Sequence, residues 1–335
     1  IRLRQWGTTR IHYLMPQPSE GWLMGTGESC SVRLVDQLVS HKHARVIRER
    51  EKWLVHDLGS KNGLKYDGAR RDTFILAPGI EIGIGGTTLI AESRQSIALH
   101  GFLARILGWK KERANAVDHA LRALRLATSR RAALILLGES DLIPIAQGLH
   151  RRTLGDDHPF IACDPRRQNT DESVRSAANY VSGLAGFVAA TGGSLCVRSS
   201  RLPRDFGEVL VRLCEFDARV QLVVCMQDAD DCDVFGAVPI EVPPLEDRTD
   251  ELPRIIDEYA RDAIATLGAP QASFTSADRD WVLKYSARSL TEIEKATLRL
   301  VALRISRSLP QAAERLGMAP VSLSRWLGRR KLPCT

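Results

Sequence analysis

The 335-residue sequence contains no apolar run long enough to span a bilayer, so no transmembrane helix is expected. It contains no Cys-x-x-Cys pair. Its seven cysteines (Cys30, Cys163, Cys196, Cys214, Cys225, Cys232 and Cys334) are odd in number and irregular in spacing. Neither a disulfide framework nor a zinc site fits that pattern, and the thiols read as small buried hydrophobes in a reducing compartment. Ile1 to Arg10 lack the apolar core of a signal peptide, so a cytoplasmic location is expected. Hydrophobic material is not lacking. At 44% hydrophobic and 26% charged residues the chain can fill ordinary cores, which excludes a wholly disordered protein. Its length predicts two or three domains.

The net charge of +7 is unevenly placed. Ile1 to Gln95 carry +4, Ser96 to Pro270 carry −4, and Gln271 to Thr335 carry +7. Three segments of different charge suggest three modules, with the strongest attraction for an anionic partner at the C-terminus.

Between Trp6 and Glu92 the pattern is of short strands. Trp22–Gly25, Ser31–Leu34, Ala44–Ile47, Trp53–His56 and Thr88–Ile90 are apolar or β-branched, and Gly, Asp, Ser and Asn clusters separate them. Many short strands with frequent turns predict an antiparallel all-β sandwich. Four features occur in order: Gly25, Ser40-x-x-His43, Asp57-Leu-Gly-Ser60 and Asn62-Gly63. In this the first 95 residues resemble the forkhead-associated (FHA) domain, whose end loops bind phosphothreonine peptides. A phosphate carries about −1.5 to −2 charges and three acceptor oxygens, so its site needs cations and fixed donors. The resemblance implies that Ser40 donates its hydroxyl to the phosphate and Asn62 holds the peptide backbone. Lys61 adds charge, as does His41 when protonated, while the His matching His43 orders the loops.

Two departures stand out. The family's Gly-Arg is Gly25-Thr26 here, and its Ser-Arg is Ser40-His41. Losing a guanidinium removes a bidentate, permanently charged anchor. Arg33, on a nearby predicted strand, is a candidate to compensate. The alternative for the same loops is a docking or packing module that ignores phosphate.

The middle segment alternates apolar strands (Ala132–Leu137, Ser194–Val197, Val220–Met226) with helical stretches, which predicts an α/β parallel sheet. Gly138-Glu139-Ser140 after a strand, Gly192-Gly193-Ser194-Leu195 before one, Leu202-Pro203 and the Val242-Pro-Pro-Leu to Pro253 box resemble the AAA+ domain of sigma-54-dependent activators. The chemistry departs from that family. The loop lysine is Pro144, which has no N–H for a phosphate. The Asp-Glu pair falls at Arg198-Ser199, the sensor Asn at Gln227, and the lid arginine at Thr291. A magnesium site cannot be built on Arg198. No Gly-Ala-Phe-Thr-Gly-Ala loop is found. A pseudo-ATPase is expected, with no cofactor and no metal; Asp230-Asp-Cys-Asp233 reads as a solvated acidic loop.

Leu252–Leu267 has helical spacing and ends at Gly268 and Pro270; Ser276 is expected to cap a following helix. Three further helices are predicted, at about Thr291–Ile305, Leu309–Leu316 and Pro320–Arg329. Gln311-Ala-Ala-Glu-Arg-Leu-Gly317 followed by Val321-Ser-Leu-Ser-Arg-Trp-Leu327 resembles the Fis-type helix-turn-helix. In that geometry Ser322, Ser324 and Arg325 face base edges while Arg329, Arg330 and Lys331 meet phosphates. Arg304 to Thr335 hold seven basic residues and one acid, which fits duplex DNA. A homodimer through Leu298, Val301 and Ile305 of the first of these helices is expected, with Trp326 in the core.

The expected organisation is an FHA-like sandwich at 1–95, a helical linker at 96–130, and a degenerate AAA+-like domain at 131–250. An all-α lid-like segment at 251–289 and the helix-turn-helix at 290–335 follow. Together they describe a DNA-binding transcriptional regulator that docks a phosphothreonine-containing or other protein partner, such as a Ser/Thr kinase, and does not bind membranes. Two alternatives stay open: an interaction scaffold in kinase signalling that binds no DNA, and an ATP-driven sigma-54 activator.

Overall fold

In the computed structural model the described residues are 1–14, 21–130, 132–174, 176–215, 217–228 and 236–328. They divide into two units, residues 1–104 with 109–125, and residues 105–108 with 126–335.

Among the described residues the first unit holds eleven strands: β1 (Arg2–Gln5), β2 (Ile11–Tyr13), β3 (Trp22–Gly25), β4 (Val32–Arg33), β5 (Ala44–Glu49), β6 (Lys52–Asp57), β7 (Leu64–Tyr66), β8 (Ala69–Arg70), β9 (Thr73–Leu76), β10 (Glu81–Ile84) and β11 (Thr87–Glu92). They form two sheets, ordered β2-β1-β11-β10-β7-β8 and β4-β3-β5-β6-β9. Alternating apolar side chains from both, among them Leu3, Met24, Val46, Val55, Leu64, Ile82 and Leu89, make one core between the sheets. This is the face-to-face burial that period-two strands require. Trp22 and Trp53 stack at its edge, 5.1 Å between centroids.

Helices α1 (Arg94–Leu107) and α2 (Ala114–Arg130) follow. Part of the 96–130 segment belongs to the sandwich unit, because residues 109–125 carry partners for buried strand charges. Arg4, only 2% exposed, pairs with Glu92 at 2.8 Å and with Asp118 of α2. Arg122 pairs with Glu81 and lies over the Trp6 ring, 4.4 Å from its centroid. A buried guanidinium needs such partners on several sides.

The second unit is built on β12 (Leu134–Leu137), α3 (Ile143–Thr153), β13 (Phe160–Cys163), β14 (Ala178–Tyr180), α4 (Gly183–Ala189), β15 (Ser194–Arg198), α5 (Phe206–Leu213), β16 (Gln221–Met226) and β17 (Ile240–Glu241). The sheet order is β14-β13-β15-β16-β12-β17, and every adjacent pair is parallel. Buried on both faces, these strands read as continuous apolar runs. The loops after β12, β15 and β16 meet at one end of the sheet.

Helices α6 (Leu252–Leu267), α7 (Ser276–Tyr285), α8 (Leu290–Arg304), α9 (Leu309–Arg315) and α10 (Pro320–Gly328) complete it. The cap of α7 is Thr275 rather than Ser276; its hydroxyl accepts from Asp278 N–H while the Asp278 carboxylate accepts from Thr275 N–H, a capping box. Ser289 and Ser308 cap α8 and α9. The proline-rich box before α6 also has a structural task. Its Arg248, 2% exposed, donates to the Arg105 and Ile106 carbonyls at the end of α1 and pairs with Glu251 at 2.8 Å. Among the described residues no helix is long and apolar enough to cross a membrane.

Candidate functional site

At one end of the sandwich the β4–β5 and β6–β7 loops lie side by side, tied by His43. This side chain is fully buried. Its Nδ1 accepts from Ser40 N–H at 3.1 Å, so Nε2 carries the proton and donates to the Gly63 carbonyl at 3.1 Å. Ser40 Oγ accepts from Lys61 N–H at 3.2 Å, and Asn62 Nδ2 donates to the Leu38 carbonyl at 2.7 Å. Ser40, Lys61 and Asn62 are thereby brought together, and His41 joins them from the exposed face of the first loop.

Each loop has its own brace. Asp57 accepts from Ser60 N–H and Ser60 Oγ, and Ser60 Oγ accepts from Gly63 N–H at 3.0 Å. Gly63 sits at φ +71°, a conformation that suits glycine. Asp36 accepts from Leu38 N–H, Gly86 N–H and Thr87 Oγ1; the Leu38 bond foremost holds its carboxyl below the usual range. Gly25 is fixed by contact: an added Cβ would lie 2.2 Å from the His41 carbonyl oxygen. Thr26 N–H and Gly27 N–H donate to the Ser40 and His41 carbonyls.

Three further cations accompany these loops, of which the sequence points to Arg33 alone. Arg33 is exposed and stands beside Gly25 in the β3–β4 register. Lys42 is exposed next to His41. Arg70 packs over Gly63, where a Cβ would come within 2.7 Å of its Nε. Arg70 could be found only by pairing β7 with β8, a hairpin whose Asp67-Gly68 turn is the one signal in the sequence. Burial pushes the Cys30 thiol up, and its Sγ lies 3.0 Å from the His41 carbonyl.

The FHA-domain family model matches residues 22–85, the stretch from β3 to the turn after β10. The N-terminal sandwich is an FHA domain. It is 35% identical over 68 residues to the FHA domain-containing protein FhaB of Mycobacterium tuberculosis, and equally to that of Mycolicibacterium smegmatis. Each match covers 20% of this chain and 44% of the relative. A solved structure from work on phosphothreonine-dependent FHA domain interactions is 29% identical, covering 28% of this chain and 95% of that one with a TM-score of 0.25. Within this FHA domain the Ser40, Lys61 and Asn62 loops are the paired end loops described above.

In the second unit, Gly138 to Asp141 follow β12, Arg198 ends β15, and Gln227 follows β16. Glu139, Ser140, Asp141, Arg198, Arg201 and Gln227 line a cavity of about 260 Å³. Arg198 donates to Asp141 at 2.8 Å and to Asp164 at 2.9 Å; Arg201 donates to Asp164 at 3.3 Å. Asp164 is 1% exposed. Thr291 of α8 donates to the Asp141 carbonyl at 2.8 Å. Pro144 sits in the first turn of α3, where a missing N–H costs the helix nothing.

In the C-terminal helices α9 packs on α10 across a turn at Gly317, φ +58°. Ala312, Ala313, Leu316 and Leu323 are fully buried. Trp326 is buried against Trp281, 5.4 Å between centroids, as its core reading requires. Ser322, Ser324 and Arg325 are exposed on α10. Arg329, Arg330 and Lys331 lie outside the described residues, as does Asp230–Asp233. The expected dimer contact needs correction at two of its three residues: Val301 is fully buried and Leu298 is 9% exposed on a helix that packs against α6 within the same chain, while Ile305 is half-buried.

Proposed function

We propose that the chain is a DNA-binding transcriptional regulator whose FHA domain docks a partner protein phosphorylated on threonine. The observation that carries the docking half is the clamp of Ser40, Lys61 and Asn62, held by His43 and ringed by Arg33, His41, Lys42 and Arg70. Hydroxyl and amide groups fixed by loop hydrogen bonds, with cations around them, are what a phosphate monoester requires. The two missing arginines of the family pattern have replacements of like charge nearby, in Arg33 and Arg70. A degenerate phosphothreonine peptide library presented to the full chain tests this; enrichment of phosphorylated over unphosphorylated members is the expected result.

The central domain is the remnant of a nucleotide site, of the sigma-54-activator AAA+ type, without ATPase activity. What supports this is a reversal of charge. Magnesium-bound phosphates need a cation in the loop after the first strand and a carboxylate at the end of a second strand at the same end of the sheet. This cleft presents Asp141 from the loop and Arg198 from the strand, bonded to each other. The residues present do not fit magnesium–ATP. Isothermal titration with ATP and magnesium should give no heat of binding.

For the C-terminal helices, a Fis-type helix-turn-helix on duplex DNA is favoured by the packed α9–turn–α10 unit and by the local basic excess. Binding to duplex DNA should fall steeply with added salt, since each neutralised phosphate releases counterions. Absence of binding at low salt would leave the scaffold reading in its place.

A further inference from the structure

Among the described residues from Leu252 onward, one large apolar side chain is exposed, and it stands at the second position of α10. Val321 is 59% exposed, whereas Leu323 is fully buried and Trp326 is 8% exposed. Folding gives no account of it, since the face of α10 that meets α9 is complete without it. Val321, Ser322, Ser324 and Arg325 instead share the outward face, and Val321 and Arg325 are one helical turn apart.

We propose that Val321 is a specificity residue that recognises the 5-methyl group of a thymine in the major groove. The inference rests on the reading of α9 and α10 as a helix-turn-helix. In that docking mode the first turns of the second helix point at base edges. The major groove exposes one apolar group, the thymine methyl, and small aliphatic side chains are its partners there. The surrounding charge suits a polyanion: Arg304 to Thr335 carry seven basic residues against Glu314 alone. Arg325, four residues on, rises about 6 Å along the helix axis from Val321, which corresponds to about two base-pair steps. A guanine is the natural partner of an arginine in the groove. The recognised element is therefore a thymine within about two base pairs of a guanine.

The test uses the full chain. A duplex selected from a randomised pool is remade with each thymidine in turn replaced by deoxyuridine, which removes the methyl and keeps the pairing. One replacement should weaken binding about four-fold, the worth of one buried methyl-sized group. Val321→Ala should weaken binding to the parent duplex by a similar factor and make that replacement silent. Arg325→Ala should cost about ten-fold or more while leaving the methyl effect in place. Because Val321 is exposed, its variant should melt like the wild-type protein. If no thymidine replacement alters affinity, or if Val321→Ala keeps the full methyl effect, the assignment is wrong although DNA binding stands. If no duplex binds even at low salt, the helix-turn-helix reading itself fails and the assignment with it.

Discussion

At Gly25 the FHA domain admits no side chain, because a Cβ would press on the His41 carbonyl 2.2 Å away. That carbonyl belongs to the loop that presents Ser40. Gly25→Ala should therefore destabilise the sandwich by about 1–3 kcal/mol, read as a lower urea midpoint, and should weaken phosphopeptide binding beyond that loss by displacing Ser40. A second prediction concerns charge. Position 41 holds an imidazole on an exposed loop, next to Lys42 and following Ser40, whose hydroxyl accepts from Lys61 N–H. His41→Arg should tighten phosphopeptide binding about ten-fold at low salt, by giving the phosphate a charged, forked donor. Fluorescence anisotropy with a labelled phosphopeptide would show it, and an unchanged affinity would mean that the phosphate does not approach this loop. Ser40, Lys61 and Asn62 were legible in the sequence because their spacing survives whatever the strands between them do. Arg70 was not, since it reaches Gly63 only through a strand pairing that neither composition nor periodicity reveals.

Elements tell a similar story about what patterns carry. The strand from Trp22 and the helix from Leu252 to Leu267 were readable to the residue, because each combines a strong apolar period with a sharp end. Strands β7 to β10 were not read: Lys65, Ala69-Arg70, Thr73 and Glu81 interrupt the apolar signal that Trp22–Gly25 carries at a similar length. The role of α2 was hidden for another reason. Arg122 and Asp118 look like a solvated helix face until Glu81 and Arg4 of the strands are placed against them. In the α/β unit the sequence showed what is missing from the cleft but not what replaced it. Asp141, Arg198, Asp164 and Arg201 form a connected ion-pair chain that joins the loop after β12 to the end of β15. Arg198→Ala should cost about 1–3 kcal/mol, less than a fully orphaned buried charge because Arg201 still reaches Asp164. Chemical denaturation of the variant beside the wild type measures this. Arg198→Lys should recover only part, since an ammonium cannot reach both carboxylates in one plane.

On the scale of the whole molecule, three histidines should make stability rise with pH near neutrality, while Glu294, whose carboxyl burial pushes up, acts in the opposite sense from lower pH. His150 is buried, with Nε2 donating to the His158 carbonyl and Nδ1 accepting from Ser194 Oγ. Burial, above all, lowers the proton affinity of His150, and the same cause lowers that of His100 and His12. Between the depressed folded value and the ordinary value of about 6.5, the unfolded chain binds more protons than the folded one. Stability is then fully present above about pH 6.5 and falls as the pH drops below it. Denaturation midpoints taken from about pH 5 to 7.5 should rise with pH; a flat profile would contradict the burial of these rings. Charge is distributed to match the proposed division of labour, with the acidic stretch in the middle and the +7 of Gln271 to Thr335 in the segment that contains the helices proposed for DNA.

An FHA site lacking two familiar arginines is proposed here to read phosphothreonine all the same. Calorimetric titration of the full chain with one peptide in phosphorylated and unphosphorylated form tests it most directly. At least about ten-fold tighter binding of the phosphorylated form, abolished in Ser40→Ala, is the predicted result. Equal affinity for the two peptides would contradict it.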